Sequence, residues 1–238
     1  FVRVGDLSTM FDVSEVTVRS DLADLARRGQ VRRVHGGAVS PARGERPFEE
    51  TQGAHWAEKT AIGRAAAALV ADGDTVILDV GTTTTATARA LLERTDLRDV
   101  VVFTNGLNIA FLLEPATPRM TVVVTGGTLR PLQHSLVDPL GGLILDQINA
   151  NIVFLGCNGI DPVGGVTNIN LPEAGMKRRM QRAGRRRIVV ADGSKVGAVE
   201  LAPLCDVSEV DLLITGASAD AATVAALRER GLQVLVTQ

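Results

Sequence analysis

The amino-acid sequence predicts an α/β protein: a mostly parallel sheet flanked by helices, preceded by a small helix–turn–helix unit with a β-hairpin. Three observations predict it. From Trp56 onward, short Val/Leu/Ile-rich stretches of strand length alternate with longer helical stretches, the pattern of successive β–α units. Hydrophobic residues make up 45% of the 238, yet aromatics only 3%, with no Tyr and one Trp. The core must therefore be built from Ala, Val, Leu and Ile, which suits strands buried on both faces. Residues 1–40 break the alternation, with two helical stretches followed by a Gly-Gly turn.

Gly5–Phe11 reads as a short helix with Leu7 and Phe11 one turn apart, and Asp12-Val13 turns the chain. Ser14 is a suitable N-cap for a second helix running to about Arg28 and ended by Gly29, since its hydroxyl can accept from a free amide of the first turn. In that helix Val18, Leu22 and Leu25 fall at i, i+4 and i+7, one apolar stripe facing a core. Gln30–Val39 reads as two short strands around Gly36-Gly37. Residues 41–55 hold Pro41, Gly44, Pro47 and Gly53 among mixed charges and read as a linker. The expected division is thus a head at 1–40, a linker at 41–55 and a larger domain at 56–238.

The larger domain opens with a helix containing Ile62, Leu69 and Val70, ended by Gly73. The strands expected after it are Thr75–Asp79, Val100–Phe103, Thr121–Thr125, Ile152–Leu155, Arg187–Ala191, Leu212–Thr215 and Leu232–Val236. The helices between them follow Gly81, follow Asn105, surround Leu140–Ile148, start at Pro172 and run to Ala183, and span 220–230. Pro172 suits a first helical turn, where its missing N–H costs nothing.

Bulk properties exclude some classes. No apolar run reaches membrane-span length and no secretory signal opens the chain, so a cytoplasmic protein is expected. Cys157 and Cys205 stand alone, without CxxC or Cys/His spacing, which argues against a disulfide or zinc site; no metal or cofactor is expected. The net charge of −2 weighs against a purely electrostatic nucleic-acid binder, but Arg27, Arg28, Arg32 and Arg33 supply a local basic surface.

A helix that reads DNA needs a small polar face toward the groove and an apolar face on a core. Ser14, Glu15, Val16, Thr17, Arg19 and Ser20 form that first face, while Arg32, Arg33 and His35 on the hairpin could meet phosphate or the minor groove. On spacing alone, an ordinary amphipathic hairpin with a solvated face fits equally well. In the larger domain several strands end in small polar residues before a helix. The strongest case is Asp79-Val80-Gly81-Thr82-Thr83-Thr84-Thr85, where Gly81 permits a tight turn and the helix offers free amides to an anion. Thr104-Asn105-Gly106, Thr125-Gly126-Gly127, Cys157-Asn158-Gly159 and Asp192-Gly193-Ser194-Lys195 repeat the arrangement. Any one such turn is more often plain punctuation; their gathering at one sheet edge favours binding. Neither the dinucleotide fingerprint nor a P-loop is present.

The string Val13 to Leu22, with Arg33-Val34-His35-Gly36-Gly37-Ala38 after it, resembles the winged-helix head of DeoR-family transcriptional regulators. The resemblance extends over nearly all of 56–238, through Glu58-Lys59, Asp79-x-Gly81-Thr82-Thr83-Thr84, Thr104-Asn105, Gly126-Gly127-Thr128-Leu129-Arg130, Glu173-Ala174-x-x-Lys177 and Ala191-Asp192-x-Ser194-Lys195. It implies that the segment from Ser14 is the recognition helix and that the Gly81–Thr85 loop holds the phosphate of a phosphorylated sugar. Asp192 and Lys195 would contact this effector, with Asp79, Asn105, Asn158, Asp161, Glu173 and Lys177 around them. The family head starts with another helix ahead of Val4–Leu7. This chain begins at Phe1, so an N-terminally truncated head with impaired operator affinity is expected.

The larger domain also resembles ribose-5-phosphate isomerase in its order of motifs, which implies an isomerase/CoA-transferase-like sheet. Asp161 and Glu173 could supply carboxylates for proton transfer. Asn158, however, stands where that isomerase has an Asp, and an amide cannot exchange protons as a carboxylate does. A binding pocket without turnover, and hence no catalytic residue, is expected. His55, His134 and Trp56 read as surface or packing groups, and the basic run from Lys177 to Arg187 as a solvated face. The expected regulator is a homodimer or homotetramer that pairs two heads on operator DNA, with no membrane partner, and represses a sugar-catabolism operon until a sugar phosphate binds. An effector that instead strengthens DNA binding is the open alternative.

Overall fold

The computed structural model describes residues 2–27, 32–34, 36–39 and 45–238. The chain forms two compact units, Phe1–Glu45 and Arg46–Gln238.

The first unit comprises β1 (Val2–Arg3), α1 (Val4–Phe11), α2 (Glu15–Arg27), β2 (Arg32–Val34) and β3 (Gly37–Val39). The strands form an antiparallel sheet in the order β1-β3-β2. β1 was not expected from the sequence, because two residues carry no periodicity. Asp12, in the left-handed region at φ 51°, closes α1. Ser14 caps α2 as expected, its Oγ accepting from the Thr17 amide at 3.1 Å. Val4, Val18, Leu22 and Ala38 form the buried cluster, with Leu7 and Leu25 packed against it. Phe11, one turn after Leu7, lies 65% exposed, while Val4 belongs to the buried cluster.

The second unit begins earlier than the sequence suggests. Residues 48–52, read as linker, form α3 (Phe48–Gln52), anchored by the buried Phe48. There follow α4 (Trp56–Ala67), β4 (Thr75–Leu78), α5 (Thr82–Glu93), β5 (Val100–Thr104), α6 (Leu107–Leu113), β6 (Met120–Val124), β7 (Thr128–Arg130), β8 (Ser135–Val137), α7 (Gly141–Leu145) and β9 (Ala150–Leu155). The rest comprises β10 (Gly159–Asp161), β11 (Gly165–Asn168), α8 (Leu171–Ala183), β12 (Gly184–Val190), β13 (Ala202–Cys205), β14 (Leu212–Gly216), α9 (Ala221–Glu229) and β15 (Gln233–Thr237).

Seven of these strands make one sheet in the order β15-β14-β12-β9-β4-β5-β6, every neighbouring pair parallel. This is the α/β class predicted. Successive strand residues point to opposite faces, and the core divides accordingly. Ile77, Val153, Leu155, Val189 and Leu213 meet Met176 and Met180 of α8 and Leu227 of α9. Val76, Leu78, Ile152, Phe154, Ile188 and Ile214 meet Ile62 of α4, Leu91 of α5 and Ile109 of α6. α4 approaches α5 closely at Gly63, where a Cβ would come within 2.6 Å of the Ala86 backbone. Trp56, at the start of α4 and 42% exposed, lies under the Arg89 guanidinium, 5.5 Å from its ring centroid.

Two antiparallel additions escape the sequence reading: the hairpin β7–β8 and the small sheet β10-β11-β13. The hairpin depends on Gly127, at φ 120°, whose Cβ would lie 2.2 Å from the Val137 carbonyl oxygen. Gly127→Ala is expected to destabilise the protein by about 3 kcal/mol, through an unfavourable backbone and a clash with main chain. A thermal midpoint equal to wild type would show that the turn relaxes instead. Among the described residues no helix is long and apolar enough to cross a membrane.

Candidate DNA-reading helix and effector site

In the first unit the apolar stripe of α2 is buried, with Val18 and Leu22 each 5% exposed, while Val16 on the other face is 73% exposed. Ser14, Glu15, Thr17, Arg19 and Ser20 are exposed beside it. The expected reading face is therefore open. Ser14 is engaged as the cap, bonded to both the amide and the hydroxyl of Thr17, the latter at 2.8 Å. Arg19 is paired with Glu15 at 2.6 Å. Arg32 and Arg33 are placed in β2 by their backbone, and His35 lies outside the described residues.

In the second unit, all seven strands of the sheet end at one edge. β4, β5 and β6 run outward in one direction and β9, β12, β14 and β15 in the other. The order therefore reverses between β4 and β9, where open α/β sheets place their ligands. Asp79 follows β4 at this point and is 0% exposed. Its Oδ2 accepts from the Gly156 amide at 3.0 Å and from the Lys177 ammonium. Lys177 also donates to the Gly156 carbonyl at 2.9 Å. One lysine from α8 thus ties together the ends of both strands at the switch point. Oδ1 of Asp79 is buried with no hydrogen-bond partner among the described residues. Burial raises the Asp79 carboxyl to about 6 against the opposing pull of Lys177. Burial also pulls Lys177 downward, but the Asp79 and Glu173 charges outweigh it and leave its pKa raised.

Two residues on, Gly81 at φ 146° leads into α5. The first intrahelical bond at this end runs from Thr85 N to Gly81 O at 2.9 Å, so the amides of Thr82, Thr83 and Thr84 precede it and face outward. The threonine hydroxyls do not all serve as expected. Those of Thr84 and Thr85 donate back to the Gly81 carbonyl at 2.9 and 2.7 Å, and Thr85 also accepts from Asn108 at 2.9 Å. They shape the loop and leave its first-turn amides outside the intrahelical bonds. Asn105 likewise braces: its Oδ1 accepts from Val80 N at 2.9 Å and its Nδ2 donates to Leu136 O at 3.1 Å.

Asp192, after β12, accepts from Ser194 and lies 3.8 Å from the Lys59 ammonium. Lys59 is itself 3% exposed and donates to the carbonyls of Thr51 and Ala54 at 2.9 and 2.7 Å. Burial lowers its pKa and the nearby Lys195 charge adds to the effect. Burial pushes the Cys157 thiol up to about 12 against the pull of both Lys177 and Lys195. Lys59, Lys177 and Lys195 thus gather around the same strand ends.

Glu173, one helical turn before Lys177, accepts on Oε1 from Arg130 and from Ser135 at 2.9 Å. Asn158 accepts from Ile169 N at 3.1 Å and fixes the following loop. Asp161 ends β10 beside the bridge between Ile160 and Val196, and its Oδ1 accepts from Val163 and Gly164, both at 2.8 Å.

Sequence reasoning did not place Lys59, Arg130, Ser135 or Asn108 in the site, nor Glu58, which accepts from Gly193 at 3.1 Å and Ser218 at 2.8 Å. The strings Glu58-Lys59 and Gly126 to Arg130 carry the signal that could have found three of them.

A helix–turn–helix unit with an open polar face, joined in one chain to a parallel α/β unit with polar and charged side chains gathered at its switch point, defines a DNA-binding regulator with a sensor. The chain belongs to the DeoR family. Residues 1–43 match the DeoR-like helix-turn-helix domain and residues 54–217 the DeoR C terminal sensor domain. The HTH-type transcriptional regulator YulB of Bacillus subtilis is 35% identical over 98% of this chain and 89% of its own length. The glycerol-3-phosphate regulon repressor of Escherichia coli is 29% identical over 98% of this chain and 92% of its own. Ribose 5-phosphate isomerase A of Methanocaldococcus jannaschii overlaps 60% of this chain and 55% of its own at 18% identity and TM-score 0.42. The protein is a transcriptional regulator and not an enzyme.

Proposed function

We propose that this cytoplasmic protein represses a carbohydrate-catabolism operon, gripping its operator through the paired heads of a homodimer or homotetramer and releasing it when a phosphorylated sugar occupies the second unit. The observation that carries this reading is the Lys177 tether at the switch point. It holds the start of the Gly81–Thr85 loop against Gly156, so that the amides ahead of α5 are preorganised for phosphate. Lys195 supplies a further positive charge, and Asp192 and Glu173 supply acceptors for sugar hydroxyls. Val16, Thr17, Arg19 and Ser20 carry the DNA contacts, with Ser14 and Glu15 framing the start of the helix and Arg32, Arg33 and His35 meeting phosphate or the minor groove.

Operator release requires the effector to favour the DNA-free arrangement, with a coupling of about 1–3 kcal/mol. A gel shift on the operator, repeated with glycerol 3-phosphate, ribose 5-phosphate and fructose 6-phosphate, is expected to show one of them weakening binding about 5- to 150-fold. Strengthened binding would reverse the sign of regulation, and no response to any sugar phosphate would refute the effector class.

A further inference from the structure

We infer that Arg130 is a positioning residue for the sugar end of the effector, an inference that rests on the sugar-phosphate reading above. Arg130 ends β7 and pairs in register with Ser135 of β8. From these facing positions the guanidinium and the hydroxyl both bond the same atom, Glu173 Oε1. Glu173 is 6% exposed, and its backbone is fixed as well, its amide donating to the capping Asn170 side chain at 3.1 Å. Oε2 has no partner among the described residues, so the hairpin presents one carboxylate oxygen in a defined direction. A carboxylate so held accepts hydroxyl hydrogens and repels phosphate oxygens. Glu173 lies one helical turn from Lys177 on α8, about 6 Å away along the helix surface. The phosphate loop and this carboxylate thus divide the site into an anionic end and a hydroxyl end.

The same hairpin reaches further. Its tip is bonded to the residues after β5, through Leu107 N to His134 O at 2.9 Å and Leu136 N to Asn105 O at 2.8 Å. On its outer side His134 meets Glu49 at 2.6 Å and stacks edge-on with Phe48 at 5.6 Å, while Gln133 donates to the Arg46 carbonyl at 2.5 Å. Residues 46–49 are the first of the second unit. The element that aims Glu173 therefore also holds the segment at which the sensor chain begins.

The test is calorimetric titration of the full chain with inorganic phosphate, glycerol 3-phosphate, ribose 5-phosphate and fructose 6-phosphate. Arg130→Met is expected to weaken the preferred sugar phosphate about tenfold or more, as loss of a charged hydrogen bond that orients the acceptor does, while inorganic phosphate binding changes less than about twofold. Arg130→Lys should recover part of the loss, and Ser135→Ala should reproduce it in smaller measure. Those two variants keep one donor each and carry the test if Arg130→Met fails to fold. Equal loss for sugar phosphate and inorganic phosphate, or no loss for either, overturns the assignment. Wild-type protein that binds none of the sugar esters overturns the underlying reading instead, and the wild-type titration alone reveals that case.

Discussion

Lys177→Met is expected to cost about 3–5 kcal/mol of folding stability at neutral pH, because it strips the counter-charge from a buried carboxylate. Asp79 is 0% exposed, and among the described residues the remaining donor to its carboxylate is the Gly156 amide. The loss should depend on pH in a direction that identifies its cause. Burial already raises the Asp79 carboxyl from 3.8 to about 6 in the folded protein. A carboxyl whose folded pKa lies above its unfolded one contributes stability that is fully present below the unfolded value and is lost as pH rises through the folded one. Removing Lys177 removes a charge that opposes this rise, so the folded pKa climbs further. The deficit of the variant should therefore be largest above pH 7 and shrink as pH falls toward 4. Urea unfolding of both proteins at pH 8 and pH 5 measures it. A deficit independent of pH would assign the loss to packing of the lysine stem, and Asp79 would not be its source.

The second large effect concerns DNA. Glutamate at Val16 or at Ser20 is expected to weaken operator binding about 100-fold or more, by setting a carboxylate where base edges and phosphates must approach. Both positions are solvent-exposed, Val16 at 73%, so the unfolding midpoint should stay within about 0.5 kcal/mol of wild type. The paired measurement separates the two explanations for a binding defect. Retained operator affinity in a folded Val16→Glu protein would remove α2 from the duplex altogether.

Much of this architecture is legible in the residues themselves. Long apolar runs such as Val76-Ile77-Leu78 announce strands buried on both faces, and the helices between them are bounded by Gly, Pro or Asn, so the alternating units emerge in order. What escapes is short. β7, β8, β10 and β11 hold three or four residues each, too few for a period of two to register. Their connections, residues 131–134 in one hairpin and a turn through Gly164 in the other, look like any other loop. α3 hides for a different reason: Pro47 and Gly53 at its ends resemble linker punctuation, and only the buried Phe48 shows that the segment is anchored.

The site divides along the same line. Motif strings locate the Gly81 loop, Glu173, Lys177, Asp192 and Lys195, but not what each side chain does. Thr84, Thr85 and Asn105 are polar residues in a plausible place, and their hydrogen bonds turn out to be spent on the loop itself. Asp161 Oδ1 braces its own turn. The Lys177–Asp79 pair joins residues 98 apart in the chain, a separation that no local pattern can encode. Pairings of this kind follow from topology, which brings the end of β4 beside the end of β9.

The contact between Trp56 and Arg89 has a practical consequence. With one indole and no phenol in the whole chain, near-ultraviolet emission comes from a single address: the first turn of α4, three residues before Lys59 and directly after the segment that the sensor grips. A guanidinium on the ring face makes that emission sensitive to small displacements of either partner. The protein therefore carries a built-in optical gauge at the start of α4, readable without any label.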